Sequence, residues 1–102
     1  MVRLAIVYPN GEGKRFDVTY YIERHMAGAK QMLAPYGLTR VEVDRPLEAG
    51  AIACIGYFYF ETLDGLRRGM DARGPELIAD VPNYTDIAPQ LYAGEITEVV
   101  PV

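Results

Sequence analysis

His25 is the only histidine in the chain. Its imidazole is the one side chain here that takes up or releases a proton near neutral pH without help from its surroundings. Such a group suits lyase, isomerase or cofactor-free oxygenase chemistry, in which a base or acid acts directly on the substrate. Tyr21 lies four residues earlier, so on a helix the two rings stack on one face. The plainer reading of the same pair is a buried histidine hydrogen-bonded to a tyrosine and serving only the core. Eight tyrosines could supply apolar pocket walls with hydroxyl handles. Tyr21 is the best placed of them. Tyr57 and Phe58 sit side by side in a very apolar segment and point to opposite faces, so one of the two lines any pocket against that strand.

No other residue set competes. One cysteine and one histidine cannot build a zinc site, and no metal or other cofactor is expected. Cys54 lies in an apolar run with no positive neighbour, so it is expected to be core, not nucleophile. Gly11-Glu12-Gly13-Lys14 lacks the spacing and the hydroxyl residue of a phosphate-binding loop.

The elements that must hold these residues follow from pattern. Residues 2–8 (VRLAIVY) read as a strand closed by a Pro-Asn-Gly loop signal. Asp17 is placed to cap a helix, with Phe16 and Tyr21 as a hydrophobic staple. Val18, Tyr21, Ile22, His25, Ala29, Met32 and Leu33 then fall on one helical side. Pro35 and Gly37 end the helix. Residues 38–45 alternate as a half-exposed strand, with Val41 and Val43 on its apolar face. Residues 52–60 (IACIGYFYF) are apolar on both faces and read as a strand covered on both sides. Gly56 leaves a gap there for a ring or ligand. Thr62 caps a second helix whose apolar side carries Leu63, Leu66 and Met70; Gly74-Pro75 is expected to interrupt it before Leu77 and Ile78. Residues 81–89 form a loop and 90–98 a last strand.

The order β-α-β-β-α-β over residues 1–102 is the ferredoxin-like arrangement, a single α+β domain. It has a four-stranded antiparallel sheet with both helices on one face. The other face must carry either Tyr57 and Tyr59 or Phe58 and Phe60. An aromatic face left bare is an association surface, and a homodimer joined face to face closes it most simply. The net charge of −4 argues against nucleic acid as a partner, since no basic stripe is present to neutralise phosphates. No apolar run is long enough to span a membrane. No secretory leader is expected, and a single cysteine fits a reducing cytoplasm.

Three segments resemble the EthD family, named for ethyl tert-butyl ether degradation. They are Phe16-Asp17 with Tyr20-Tyr21 and His25-Met26; Gly74-Pro75-Glu76; and the acidic loop Asp80-Val81-Pro82-Asn83-Tyr84-Thr85-Asp86. The family usually has proline shortly after the histidine, where this chain has Ala27. The resemblance covers nearly the whole chain. It implies a dimeric α+β barrel with a small apolar ligand pocket between helices and sheet, in proteins tied to catabolic operons and fungal aromatic pathways. It adds Tyr84, through the loop match, to the candidate substrate-binding residues Tyr21, Tyr57 and Phe58. His25 stands as the candidate catalytic residue, and Asp86 reads as a solvated turn residue.

Three readings follow. One is a small cofactor-independent enzyme acting on an apolar or aromatic compound, with His25 as general acid or base. The second is a non-catalytic ligand-binding or accessory protein of a degradation pathway. The third is a purely structural dimerising domain, which a filled pocket would favour. An enzyme needs a second polar group beside His25; a carrier does not.

Overall fold

In the computed structural model, which describes residues 1–102, four strands form one antiparallel sheet in the order β2-β3-β1-β4. Strand β1 spans Val2–Pro9, β2 Leu38–Asp44, β3 Ile52–Phe60 and β4 Gln90–Glu95. Alternation decides what each strand buries. Val2, Leu4, Ile6 and Tyr8 of β1 meet Cys54, Phe58 and Phe60 of β3 in the core beneath the helices. The opposite side chains of β3, among them Ile55, Tyr57 and Tyr59, are only half-buried. The bare face is therefore the one carrying Tyr57 and Tyr59. Val41 and Val43 lie opposite Phe58 and Gly56, on the helix side, as their alternation requires.

Helix α1 runs from Val18 to Leu33 in three stretches: Val18–Tyr20 is α-helical, Tyr21–Met26 π-helical and Ala27–Leu33 α-helical. Its start is as the sequence reads. The Tyr20 amide donates to the Asp17 carboxylate at 3.1 Å, and the Phe16 and Tyr21 rings meet edge to face at 5.2 Å. The π turn is the departure. It accommodates more residues per turn than an α-helix, so the inward face slips in phase. Met26, five residues after Tyr21, is buried, while Ile22, expected inside, is 41% exposed. A 3-10 turn over Ala34–Tyr36 and a left-handed Gly37 (φ 88°) end the helix.

Helix α2, Leu63–Asp80, begins where the Gly65 amide donates to the Thr62 hydroxyl at 3.0 Å. It is continuous through Pro75, contrary to the expected interruption. Pro75 lies on the exposed side, where the carbonyl of Asp71 that loses its amide partner remains open to water. The buried side includes Gly65, Gly69 and Gly74 beside Leu66 and Leu77. A Cβ on Gly65 would overlap the Tyr36 carbonyl oxygen. The helix thus rests directly on the 34–36 turn, and two of its expected apolar anchors, Leu63 and Ile78, are exposed instead.

A short 3-10 turn, Val81–Asn83, follows α2. The Asp17 amide then donates to the Tyr84 carbonyl at 2.8 Å, and Thr85 pairs with Phe16 in an isolated bridge. The loop is thereby stitched to the start of α1. Strand β4 ends at Glu95, three residues short of its expected limit, and is an edge strand open on both faces, with Leu91 61% and Tyr92 63% exposed. No helix is long and apolar enough to cross a membrane.

Candidate functional site

Residues from both helices, β1 and the loop after α2 converge on His25. The π turn brings its ring onto Tyr21, stacked with centroids 5.4 Å apart and planes 17° from parallel. Its Nδ1 lies 2.8 Å from a carboxylate oxygen of Asp80, the last residue of α2. A carboxylate only accepts, so Nδ1 carries the proton and Nε2 keeps the free lone pair when the ring is neutral. The other Asp80 oxygen accepts from the Tyr20 hydroxyl at 2.8 Å and from the Asn83 amide at 2.9 Å. Three donors therefore fix the carboxylate, and the carboxylate fixes the imidazole.

On the far side of the ring, the Tyr84 hydroxyl is 3.5 Å from Nε2 and 2.6 Å from the Tyr8 hydroxyl. Tyr8, Tyr21 and Tyr84 also pack ring against ring at 5.0–5.9 Å, with Phe16 closing the cluster. Tyr21 does not face the cleft with its hydroxyl. That hydroxyl is buried without a hydrogen-bond partner and fills the room left by Gly56.

The electrostatics follow from burial. Partial burial pushes the Asp80 carboxyl up, but the hydrogen bonds from Asn83, His25 and Tyr20 together outweigh it and hold it below its ordinary value. Asp80 is an anion at neutral pH. Burial raises the Tyr84 phenol strongly, and contact with Tyr8 raises it further. Burial also raises Tyr8. Both phenols keep their protons and act as hydrogen-bond donors. Burial pushes the Cys54 thiol up to about 11, and its S–H donates to the Asp44 carbonyl at 3.3 Å. It is the inert core cysteine the sequence implies.

Beside His25 lies an apolar cleft of about 80 Å³. Leu4, Ile6 and Phe58 form its sheet wall, and Met70, Leu77 and Ile78 its α2 wall. Tyr8 and His25 supply the polar corner, and Pro89 and Leu91 border it from the loop and β4. The expected gap between α1 and the sheet is thus filled at Gly56 by Tyr21, and the open space lies under α2. Among the residues singled out from sequence, His25 and Phe58 line this cleft. Tyr84 and Tyr21 stand directly behind His25. Tyr57 points to the other face of the sheet, where its hydroxyl donates to Asp44 at 3.0 Å. Asp86 sits outside, in a 3.5 Å ion pair with Arg15.

Four residues of this site were not singled out from sequence: Asp80, Asn83, Tyr20 and Tyr8. Tyr8 had a signal, since Val2, Leu4, Ile6 and Tyr8 share one strand face. Asp80 and Asn83, three apart just before Tyr84, had a weaker one. No set of three or more His, Cys, Asp or Glu side chains is grouped to hold a metal ion.

Topology and site together define a small α+β protein of ferredoxin-like fold with a histidine–carboxylate pair beside an apolar cleft. No family model matches the chain, and no curated protein matches it. Among solved structures, an EthD-like protein from Ralstonia eutropha JMP134 is 30% identical. That match covers 95% of this chain and 92% of the other, with a TM-score of 0.86. The chain belongs to the EthD-like family. An ethyl tert-butyl ether degradation family protein from Bacillus halodurans C-125 is 19% identical over 93% of this chain and 97% of that one, with a TM-score of 0.63. SnoaB, a cofactor-independent oxygenase from Streptomyces nogalater, shares the fold at 12% identity and a TM-score of 0.67, covering 99% and 96% of the two chains.

Proposed function

We propose that the chain is a cofactor-independent enzyme of apolar-compound metabolism in which His25 is the general base and then the general acid. The observation that carries this is the 2.8 Å contact between Nδ1 and Asp80 on the wall of an apolar cleft. A substrate O–H or activated C–H directed at Nε2 would lose its proton to that nitrogen, its electron pair staying on the substrate. The imidazolium so formed is stabilised by Asp80, which is already ionised and oriented. Tyr8, which borders the cleft and is held by the Tyr84 hydroxyl at 2.6 Å, supplies a neutral donor beside the developing anion. The relatives' associations with ether degradation and cofactor-independent oxygenation support an apolar substrate. Returning the proton at another position of the substrate would make the reaction an isomerisation. Departure of a leaving group from the neighbouring carbon with its bonding electrons, protonated by the imidazolium as it leaves, would make it an elimination. Accepting dioxygen at the carbanion would make it an oxygenation.

The non-catalytic alternative, a binding or accessory protein of a degradation pathway, draws on the same apolar walls. It gives the Asp80 contact no task. The test separates them. A ligand is first found by thermal shift with small apolar and aromatic compounds, and turnover is then measured. His25→Asn should retain the fold and ligand affinity while turnover falls roughly 10²–10⁴-fold. Full turnover by that variant on a confirmed substrate would leave only the binding role.

We further propose that two copies associate through the sheet face bearing Tyr57 and Tyr59. On that face the Tyr59 hydroxyl donates to Glu42 at 2.6 Å and the Arg3 guanidinium lies over both tyrosine rings. The hydroxyls are thus tied sideways, leaving aromatic faces for a partner.

A further inference from the structure

The cleft beside His25 holds more information about its occupant than its apolar walls alone. Its only polar lining groups are His25 and the Tyr8 hydroxyl. No lysine or arginine reaches it. Asp80 stands behind the histidine, its oxygens accepting from His25, Tyr20 and Asn83, and does not itself line the cleft. An anion would give up its hydration against hydrocarbon walls with no resident cation, and a cation would do the same with no resident anion. Either is costly in such surroundings. A neutral molecule with one hydroxyl or carbonyl is the chemistry these walls match.

Size narrows the choice again. The volume of about 80 Å³ is smaller than the cavity of roughly 150 Å³ that an engineered core needs to take up benzene. It lies well below the roughly 300–1,000 Å³ of drug-sized ligand pockets. The cleft is open on one side, where Ile78 and Leu91 are 69% and 61% exposed, so a substituent has a way out. Fused rings do not. Met70 is the flexible, unbranched member of the α2 wall, its terminal methyl lying toward Gly74 one turn further along the helix. Being flexible, it can shift to admit a ring, and it is the wall residue whose bulk a larger, fused ring would have to displace.

We propose that this site selects an uncharged, single-ring compound bearing one hydroxyl or carbonyl group, and that Met70 is the residue that sets the size limit. The inference rests on the reading of the His25 cleft as a ligand site. It adds charge and ring count to that reading.

The test uses the full chain and four named probes, with binding followed through the His25 side-chain NMR signals. 4-Methylphenol should bind and perturb those signals. 4-Methylbenzoate, 4-methylbenzylamine and 2-naphthol should each bind at least about tenfold more weakly, the scale on which pocket shape and unpaired groups discriminate. Met70→Ala should raise the affinity for 2-naphthol relative to 4-methylphenol by about tenfold or more. Met70→Phe should abolish 4-methylphenol binding in a folded protein. Equal or tighter binding of 2-naphthol at His25 in the unaltered chain would overturn the size limit while leaving the cleft as the site. Equal binding of either charged probe would overturn the neutrality assignment in the same way. Failure of every probe to perturb His25 would overturn both this inference and the reading beneath it. If Met70→Ala does not fold, the comparison of probes on the unaltered chain and the Met70→Phe result still decide.

Discussion

Asp80 shows how one side chain can set the behaviour of another. Its carboxylate accepts from His25, Tyr20 and Asn83, and it is held below its ordinary value of 3.8. A carboxylate depressed on folding contributes stability that is complete above its ordinary value and is lost as pH falls through its lower folded value. Asp80→Asn should therefore flatten the loss of stability below about pH 4, as followed by thermal unfolding across an acid series. The same substitution should allow the imidazole proton to shift to Nε2, visible in ¹⁵N NMR as a mixture of tautomers, and lower turnover by about tenfold or more. A purely structural aspartate would change the first readout and leave turnover per folded molecule unchanged. Asp80 was not legible in the sequence because its partner lies 55 residues away. Near-neighbour spacing links Tyr21 to His25, but it gives no account of pairs brought together by topology. His25 was legible because it is unique.

At the scale of elements, the sequence pattern carried the order of helices and strands, the Asp17 and Thr62 caps and the alternation of β1 and β3. It failed at two helices, for different physical reasons. In α1 the periodicity was read at 3.6 residues, but the π turn over Tyr21–Met26 changes the period locally and exchanges Ile22 for Met26. In α2 the glycines that lie on the buried side carry no hydrophobic signal, although close approach to a neighbouring turn is what that side is for. Pro75 looked like a terminator because a lost hydrogen bond matters most where water is excluded, and at Pro75 it is not. These points fix an expectation. Gly65→Ala places a methyl group against the Tyr36 carbonyl oxygen, backbone that has no rotamer to yield. It should destabilise the fold by about 1–3 kcal/mol or more. Urea unfolding of the variant and parent would measure it, and an unchanged midpoint would show that α2 shifts freely on the turn.

For the molecule as a whole, the sheet is covered on one face only. Tyr57, Tyr59, Arg3 and Tyr92 occupy the other, and β4 is exposed on both sides. Isologous pairing through this face should bury more than about 2,000 Å² in total, as obligate dimers of this kind do. The chain alone exposes 6686 Å². Light scattering at micromolar concentration should report a dimer of the 11.4 kDa chain. Tyr57→Glu should shift it toward monomer, since pairing through this face would bury an unpaired carboxylate beside Asp44 and Glu42 of the same chain. A stable folded monomer in the unaltered protein would end the proposal. Which of the two β3 faces was bare could not be read from residues 52–60, because both are apolar; the helices choose, and they choose the face with Gly56.

The contacts that complete the site also have a place in time. His25 meets Asp80 across 55 residues, Tyr8 meets Tyr84 across 76, and Arg15 receives the Thr85 hydroxyl across 70. Closing such long loops is slow relative to forming a helix or a hairpin. A chain emerging from the ribosome can therefore assemble β1, α1, β2 and β3 while its His25–Asp80 pair does not yet exist. Refolding experiments should accordingly see native helical signal before ligand binding. The last stretch, from Asp80 onward, joins the rest through few elements, so partial opening of that stretch would silence the site while most of the sheet stays intact.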